Sequence, residues 1–495
     1  MLFLGRLTLR AASLILTLLA IFMMSLLPSQ SAFASPSAFD AIDRYVEYFM
    51  QQNRVPGLAL AIVQGSQVAY LHGYGLAGPS GQPVTPQTPF ILGSTSKSFT
   101  ALAVMQLVEA GKVNLDAPVT AYLPWFKVGS DGTSDVITVR QLLNQTSGIP
   151  AIAGEATLYM NDSSADALER QVRRLSQWGL DFWPGTNFEY SNANYQTVGL
   201  IVQVVSKEPF EDYVRQHIFS PLDMQHSYTD KPTALANGLA SGYHYWFGFP
   251  LPAGNTPYPR EHFPSGFYIS CAQDMAHALV AHLNNGIYAG TAVVSPAGME
   301  ILHQPAQAGY AMGWMADNFG VLSHTGAVAD YGSYILIDPK SGIGVAVLFN
   351  INNAIGAAHL YTVGNNIWAL LTGNSLVVTP AEDQYTKMGI GLEALLIVSI
   401  TWFAWSLRII LHSWRRYQNS PISSWKVIFL ILPLAAEGLI SFFLWQQFTT
   451  GLLNALLFQP DFSILILIIS FLLVGWGVIR SILVARLALK KLQIR

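Results

Sequence analysis

Short apolar runs lie near both ends of a central region of the chain, and apolar residues recur at helical spacing between them. Leu58–Val63 and Val68–Gly73 flank the polar tetrapeptide Gln64-Gly65-Ser66-Gln67, which predicts a β-hairpin. Further strands are predicted at Gly309–Ala316, Ser333–Asp338 and Ile343–Asn350, and helices at Ser98–Ala110, Asn194–Ser206, Pro209–His217 and Ala272–Asn284. Strands from both ends with helices between them predict an α+β domain whose antiparallel sheet joins the two ends.

The N-terminus has the pattern of a secretory signal. Arg6 and Arg10 precede the apolar run Ala11–Leu27, and small residues follow up to Ala34. We therefore predict a signal peptide at residues 1–34. If it is not cleaved, the run becomes a membrane anchor and the following domain is still exported. No cysteine follows the run, which excludes lipid attachment there.

Three longer apolar runs near the C-terminus predict transmembrane helices, at Met388–Leu407, Val427–Gln446 and Ser463–Ile479. We accordingly predict a globular domain at 35–375, a linker at 376–387 and a membrane anchor at 388–495. Positive charges lie between the first two runs and in the tail: Arg408, Arg415, Arg416, Lys426, Arg480, Arg486, Lys490, Lys491 and Arg495. The connection between the second and third runs has none, so the tail is predicted in the cytoplasm and the globular domain outside, in a multi-pass membrane protein.

Glu437 falls near the middle of the second predicted span, where an ionisable group must face protein or water. A contact between helices and a role in transport both remain open. We favour the contact, because three spans with one interior carboxylate make a poor pathway.

Composition agrees with a chain that is partly in lipid, since 51% of residues are hydrophobic and only 11% are charged. The formal net charge of −3 and the lack of a basic cluster outside the predicted membrane loops make nucleic acid an unlikely partner class. The single cysteine, Cys271, cannot form an internal disulfide and is predicted to be a buried, inert thiol. The eleven histidines lack paired ligand spacing, and we predict no metal and no cofactor.

Candidate chemistry begins at Ser94 and Lys97, at the start of an apolar helix. A spacing of three places both side chains on one helical face, where the amine can remove the hydroxyl proton if burial lowers the pKa of the lysine. Alone this pair is weak evidence, because Ser94 could equally be a helix N-cap.

A second element, Tyr190-Ser191-Asn192, stands immediately before the helix that starts near Asn194. The Tyr190 phenol could pass a proton to a leaving group. The Asn192 amide could hold a substrate carbonyl or steady Lys97.

A third element is His324-Thr325-Gly326, placed before the predicted strand Ser333–Asp338. Thr325 could bind a substrate carboxylate, and Gly326 could let a substrate approach the strand edge. The backbone N–H of Ala327 could share an oxyanion with that of Ser94.

These three elements, in this order, resemble the set shared by penicillin-binding proteins and serine β-lactamases. Phe90–Thr100, Ile137–Leu143 with Thr146–Pro150, and Phe188–Asn192 are similar to the class C-like branch, which includes D-alanyl-D-alanine carboxypeptidases and esterases. With its C-terminal spans, the layout resembles the Flp-type penicillin-binding-protein-like proteins.

The resemblance implies an acyl-enzyme on Ser94, with Lys97 and Tyr190 sharing proton transfer in a site between the sheet and a helical lobe. It also implies a small or peptidoglycan-derived acyl substrate, D-amino-acyl peptides or esters of the cell envelope being our first expectation. A broad carboxylesterase and a penicillin-binding-like protein without turnover are the alternatives. Many relatives carry lysine where His324 stands, and histidine there is familiar from carboxypeptidase and esterase relatives, which argues against a dedicated β-lactamase. Gln145 stands where relatives often have histidine.

An aromatic stretch, Tyr243–Phe249 with Tyr258 and Phe263, could line the cleft or simply pack in the core. Its glycine and prolines predict a loop rather than a helix.

Overall fold

The computed structural model describes residues 38–129, 132–353, 358–376, 383–416, 432–446 and 451–493, with the single positions 425 and 428. The chain divides into two compact units, 1–43 and 44–495. Of the first, only residues 38–43 are described, and they begin a helix. The predicted signal peptide lies outside the described residues.

The elements follow in chain order. The strands are β1 Gly57–Gln64, β2 Gln67–Gly75, β3 Phe90–Ile91, β4 Tyr243–Trp246, β5 Phe249–Pro252, β6 Ile269–Ser270, β7 Ile287–Tyr288, β8 Thr291–Ala292, β9 Met315–Ala316, β10 Leu322–Ala327, β11 Gly332–Asp338, β12 Ile343–Phe349 and β13 Ile351–Asn352. The α-helices up to the end of the sheet region are α1 Ala38–Asn53, α2 Ser96–Glu109, α3 Val139–Leu143, α4 Ala151–Glu155, α5 Ala167–Arg174, α6 Asn192–Ser206, α7 Phe210–Val214, α8 Lys231–Ala236, α9 Phe263–Gly266, α10 Ala272–Leu283, α11 Pro296–Leu302 and α12 Thr362–Thr372. The C-terminal helices are α13 Asp383–Arg416, α14 Pro433–Trp445, α15 Leu452–Phe458, α16 Pro460–Ser470 and α17 Trp476–Gln493.

A six-stranded antiparallel sheet, in the order β2-β1-β12-β11-β10-β9, forms the centre of the fold. Leu58 pairs with Phe349, so the first strand lies beside the last long strand. The mixed α+β architecture and the joining of both ends of the domain in one sheet are confirmed.

Strand β1 has a continuous apolar sequence because both faces of the sheet are covered. Ala59 and Ala61 belong to the main core, and Leu60 and Ile62, which point to the opposite face, are buried as well. Helix α10 packs against β1 and β12, and helix α12 packs against β11 and β12. A strand buried on both faces gains free energy from apolar residues at every position, so the alternating pattern is lost.

One strand prediction was wrong, one strand was not predicted, and one predicted helix is of two types. Of the predicted strand Gly309–Ala316, only Met315 and Ala316 join the sheet, and Tyr310 makes just an isolated bridge to Met315, because positive φ angles at Gly309, Met312 and Gly313 break the extended backbone. The segment around Thr325, predicted to precede a strand, is itself strand β10. The predicted helix Pro209–His217 is α-helical only over Phe210–Val214 and continues as a π-helix over Arg215–Phe219.

Of the three predicted membrane spans, two coincide with helices long and apolar enough to cross a bilayer, Lys387–Ser413 and Pro460–Arg486. The second of these runs through α16, a π-helical turn and α17. The middle span is described only as the 13-residue helix Pro433–Trp445, so a three-helix transmembrane region stays a prediction.

Glu437, on α14, lies in the interior of this helical region and binds two other helices. Its two carboxylate oxygens accept hydrogen bonds from Arg480 Nη1 and Nη2 at 2.8 and 2.7 Å, and Trp402 Nε1 donates to Oε1 at 2.6 Å. The expected contact between helices is thus present. Arg480, counted with the charges of the predicted cytoplasmic tail, is 2% exposed within α17 and paired with Glu437, whereas the cytoplasmic location of the tail stays a prediction.

Candidate active site

Ser94 lies in a single 3₁₀ turn, Gly93–Thr95, that enters helix α2. Gly93 has φ of +59°, and a Cβ there would stand 2.3 Å from the backbone nitrogen of Ala327. A Cβ at Gly326 would stand 2.0 Å from the carbonyl oxygen of Leu92. The two glycines therefore let strand β10 approach the Ser94 turn, and Gly326 makes room for protein backbone rather than for a substrate as had been expected.

Lys97 is completely buried in the first turn of α2 and donates its hydrogen bonds to three acceptors. Its Nζ lies 3.1 Å from Ser94 Oγ, 2.8 Å from Asn192 Oδ1 and 2.5 Å from the carbonyl oxygen of Ser265. Burial lowers the pKa of Lys97 well below its usual range, and the more distant Glu155 opposes that shift only in part. Two of the three acceptors have no proton to give, so the lone pair of a neutral Lys97 can only face the Ser94 hydroxyl.

Ser94 is not the N-cap of helix α2, so the alternative in which it serves only as a helix cap does not hold. The N-cap of α2 is Thr95, without a side-chain cap, and Ser94 is partly exposed between buried neighbours. The hydroxyl is therefore accessible from the cleft and hydrogen-bonded to an amine behind it, which is the arrangement of an activated nucleophile.

The centroid of the Tyr190 ring lies 4.7 Å from Lys97 Nζ. The Tyr190 hydroxyl is buried and makes no hydrogen bond of standard geometry. Burial raises the pKa of Tyr190 well above its usual range, and nearby Tyr310 adds to this, while the Ser94 hydroxyl opposes it. Tyr190 therefore stays protonated where Lys97 tends to be neutral. Environments that push two pKa values apart in this way assign one group as base and the other as acid.

His324 is a neutral imidazole in this setting. Burial, reinforced by the Lys97 charge, lowers the pKa of His324 to about 4. Its Nδ1 lies 2.6 Å from the carbonyl oxygen of Thr325, which can only accept, so Nδ1 carries the proton. The other nitrogen faces the Tyr310 hydroxyl at 3.4 Å. Sequence reasoning missed Tyr310 and the Ser265 carbonyl, because neither belongs to a recognisable motif.

Gln145, whose consequence had been open, organises the segment that carries Tyr190 and Asn192. Its Oε1 accepts from the backbone N–H of Ser191 at 3.0 Å and from Asn194 Nδ2 at 2.5 Å, in a fully buried position. An amide oxygen accepts both bonds at any pH, which a histidine would do only in one tautomer.

The eight predicted residues surround one cleft. Its volume is about 390 Å³, and its walls are Ser94, Phe188, Tyr190, Met315, Ser323, His324, Thr325 and Ala327. Asn192 does not line the cleft but contacts Lys97 behind its wall. Gly326 also lies behind the wall, against Leu92. Among these lining residues none is lysine or arginine. The aromatic stretch does not line the cleft: Tyr243–Phe249 belongs to the β4–β5 hairpin rather than to the expected loop, Phe263 packs in the core, and Tyr258 packs against it.

Cys271 is buried as expected, as the N-cap of α10, where its Sγ accepts the N–H of Asp274. Possible ligand atoms of His226, Cys271 and Asp274 lie within 4.8 Å of one another. Asp274 Oδ2 already binds the N–H of His226 and the Ser227 hydroxyl, at 2.7 and 2.8 Å. These bonds give Oδ2 a structural role, and none of the three residues lines the cleft.

An α+β fold with a lysine-activated serine beneath an antiparallel strand defines the class of β-lactamase-like serine hydrolases. Residues 42–362 match the Beta-lactamase family, and because this is well over half of the chain, the protein belongs to that family.

Similar proteins include Protein flp of Staphylococcus aureus strain MW2, 28% identical over 403 residues that cover 80% of each chain. Penicillin-binding protein 4 of Amycolatopsis lactamdurans is 32% identical over 316 residues, 60% of this chain and 82% of the relative. The octameric penicillin-binding protein homologue from Pyrococcus abyssi has a similar structure, with a TM-score of 0.59 at 28% identity, over 70% of this chain and 78% of that chain.

Proposed function

We propose that the protein is a serine hydrolase that forms an acyl-enzyme on Ser94. The observation that carries this proposal is the contact of Lys97 Nζ with Ser94 Oγ at 3.1 Å, in a site where Lys97 is buried and its other two acceptors cannot donate. As Oγ attacks the substrate carbonyl carbon, its proton moves to Lys97. Tyr190 donates its own proton to the leaving group and takes back a proton from Lys97. Water then attacks the acyl carbon and releases the acid and free Ser94.

The developing oxyanion would be bound by the backbone N–H groups of Ser94 and Ala327. Their proximity is supported by the close approach of strand β10 to the Ser94 turn. Donors held in advance at that position stabilise the transition state more than the ground state.

Within this class, we propose D-amino-acyl peptide or ester bonds of the cell envelope as the substrate. The relation to penicillin-binding proteins and the extracytoplasmic location proposed below both support it. Thr325, exposed at the cleft, is the group available to a substrate carboxylate.

A specific observation favours the second candidate, a carboxylesterase. A neutral His324 offers no cation to a substrate carboxylate, and no lysine or arginine is among the residues that line the cleft in the described structure. An uncharged acyl group of moderate size fits Phe188, Tyr190 and Met315 without needing one.

The test is the intact mass of the protein, wild type and Ser94→Ala, after exposure to a fluorescent penicillin and separately to a small activated ester. A mass increase or ester turnover that Ser94→Ala abolishes is expected. The absence of both reactions in the wild type would favour a penicillin-binding-like protein without turnover. A peptide ending in a free carboxylate, compared with its amide, separates the two substrate classes.

We further propose that the domain at 35–375 is extracytoplasmic and anchored by the C-terminal helices. The two long apolar helices and the positions of the loop charges support this. Labelling of intact cells with a membrane-impermeant maleimide should mark Ser66→Cys, on the exposed β1–β2 turn, but mark Gln493→Cys only after permeabilisation. The reverse pattern would disprove the orientation.

A further inference from the structure

The connection that leads into the last apolar helix lies directly against the catalytic domain. We name residues 451–462 the docking segment; it contains α15 and the start of α16. Asn454 and Asp461 are 4% and 1% exposed, so two polar side chains are buried where this segment meets the domain. Buried polar groups of this kind are retained only where their hydrogen bonds are made.

The partners of these side chains lie at two separate places. Asn454 Nδ2 donates to the carbonyl oxygen of Glu155, the last residue of α4, at 3.0 Å. Asp461 accepts from the backbone N–H of Phe247 at 3.0 Å and from Asn353 Nδ2 at 3.3 Å. The docking segment thus holds helix α4 at one point and the β4–β5 turn at another.

Helix α4 in turn packs on the residue that binds Lys97. A Cβ at Gly154 would stand 2.4 Å from the backbone nitrogen of Ala193 and 2.8 Å from that of Asn192. The two backbones touch here without an intervening side chain, so a displacement of α4 moves the N-terminus of α6. That N-terminus carries Asn192, whose Oδ1 accepts from Lys97 Nζ at 2.8 Å.

Glu155 also acts on Lys97 through its charge. Its carboxylate is half-buried, and its charge and that of Lys97 each stabilise the other. The position of α4 therefore determines where two groups lie relative to Lys97. One is the Asn192 oxygen that accepts its hydrogen bond, and the other is the Glu155 carboxylate.

From these contacts we propose that the docking segment is a structural part of the catalytic centre, with Asn454 as a positioning residue that holds α4, and through it Asn192 and Glu155, around Lys97. The kinetic effects expected from this proposal rest on the proposed function, whereas the positioning of α4 and Asn192 by the docking segment does not. Asp461 provides the comparison, because Phe247 and Asn353 are not among the described residues that bind Lys97.

The kinetic test uses the full-length protein in nanodiscs. Asn454→Leu removes the hydrogen bond at nearly constant size, and Asp461→Asn weakens the other contact. For Asn454→Leu we expect acylation by an activated ester to fall about 2- to 30-fold at neutral pH, the range of indirect couplings. The pH midpoint of acylation should fall by about half a unit or more, because displacing Asn192 and Glu155 removes two groups that favour the charged form of Lys97. Asp461→Asn should leave the midpoint unchanged.

An equal midpoint shift in both variants, or no shift in an active Asn454→Leu, would overturn the proposal. Should Asn454→Leu not be recovered folded, Asn454→Ser replaces it with a smaller change.

Hydrogen exchange measured by mass spectrometry gives a readout without activity. Asn454→Leu should speed exchange in peptides that cover 151–158 and 190–197, and Asp461→Asn only in those that cover 243–252. Unchanged exchange at 190–197 in Asn454→Leu overturns the proposal whatever the kinetics. If the wild type forms no Ser94 adduct, the proposed function fails, while the exchange result still decides this inference.

Discussion

Among the described residues, the catalytic domain and the C-terminal helical region each bury one lysine or arginine, and the two side chains have opposite kinds of partner. Lys97 is 0% exposed and contacts only uncharged acceptors, a hydroxyl, an amide oxygen and a backbone carbonyl. Arg480 is 2% exposed and is paired by both oxygens of Glu437. Burial without a carboxylate pushes a lysine towards its neutral form, whereas a bidentate arginine–carboxylate pair provides two charge-assisted hydrogen bonds.

The difference teaches that burial alone does not assign a role to a basic residue. At the same depth of burial, Lys97 is suited to the proposed role of proton acceptor, whereas Arg480 links two helices. The role of a buried basic residue depends on the chemistry of the atoms that contact it and on whether it can lose its proton. Lysine can lose its proton, and arginine cannot.

The largest effect is expected when the base itself is made permanently charged. Lys97→Arg keeps a cation but cannot accept the Ser94 proton, so acylation should fall by at least about 10³-fold. The rate of the Ser94 mass adduct measures this. Lys112→Arg, the same change at an exposed lysine, is the control. Retention of activity within threefold in Lys97→Arg would remove Lys97 from the mechanism.

The next effect concerns the paired cation. Glu437→Gln leaves the Arg480 guanidinium buried without its carboxylate, which should cost about 3–5 kcal/mol of stability. Thermal unfolding in detergent measures the loss, with the exposed Glu393→Gln as control. Adding Arg480→Met should recover most of it, since two uncharged residues need no partner. No recovery in the double variant would contradict the pairing argument.

A third variant gives Lys97 the kind of partner that Arg480 has, a carboxylate. Asn192→Asp should raise the pKa of Lys97, so the base becomes neutral only at higher pH. We expect the alkaline midpoint of acylation to rise by about two units, with about a 100-fold loss at neutral pH that disappears as pH rises. Asn187→Asp, exposed on the preceding loop, should leave the profile unchanged. A uniform loss at every pH would indicate damage to geometry instead.

The smallest effect is expected when a cation is added to the cleft, whose lining residues include no lysine or arginine. His324→Lys introduces an ammonium beside Thr325, and the preference for a peptide with a free carboxylate over its amide should increase about tenfold. The ratio of kcat/KM for the two substrates measures it. In the wild type that ratio should stay constant from pH 5 to 8, because the pKa of His324 is about 4 and the imidazole is neutral throughout. A change across that range would show a titrating group near the carboxylate.

Much of the site was predictable because its chemistry depends on residue types at fixed spacing. Ser94 and Lys97 lie one helical turn apart, and local geometry alone brings them together. The sheet was predictable where strands are apolar and long, as in β1 and β12. The polar strand β10 was not, because its sequence Leu-Ser-His-Thr-Gly-Ala has little apolar signal.

The remaining parts depend on contacts between distant segments. The Ser265 carbonyl on Lys97 and the Tyr310 hydroxyl beside His324 are placed by tertiary packing, which no local pattern encodes. The role of Gly326 was misread for the same reason, since the atom that requires a glycine belongs to Leu92, over 200 positions earlier in the chain.

The pairing of Leu58 with Phe349 has a consequence for biogenesis. Strand β1 is made early, but its partner β12 is synthesised almost three hundred residues later, so the sheet cannot close until nearly the whole domain has left the ribosome. Folding dominated by such distant pairings is slow. The first long apolar helix begins at Asp383, only a few dozen residues after β12. If these helices insert into a membrane as proposed, insertion and sheet closure compete in time, and the domain finishes folding with its C-terminal end tethered.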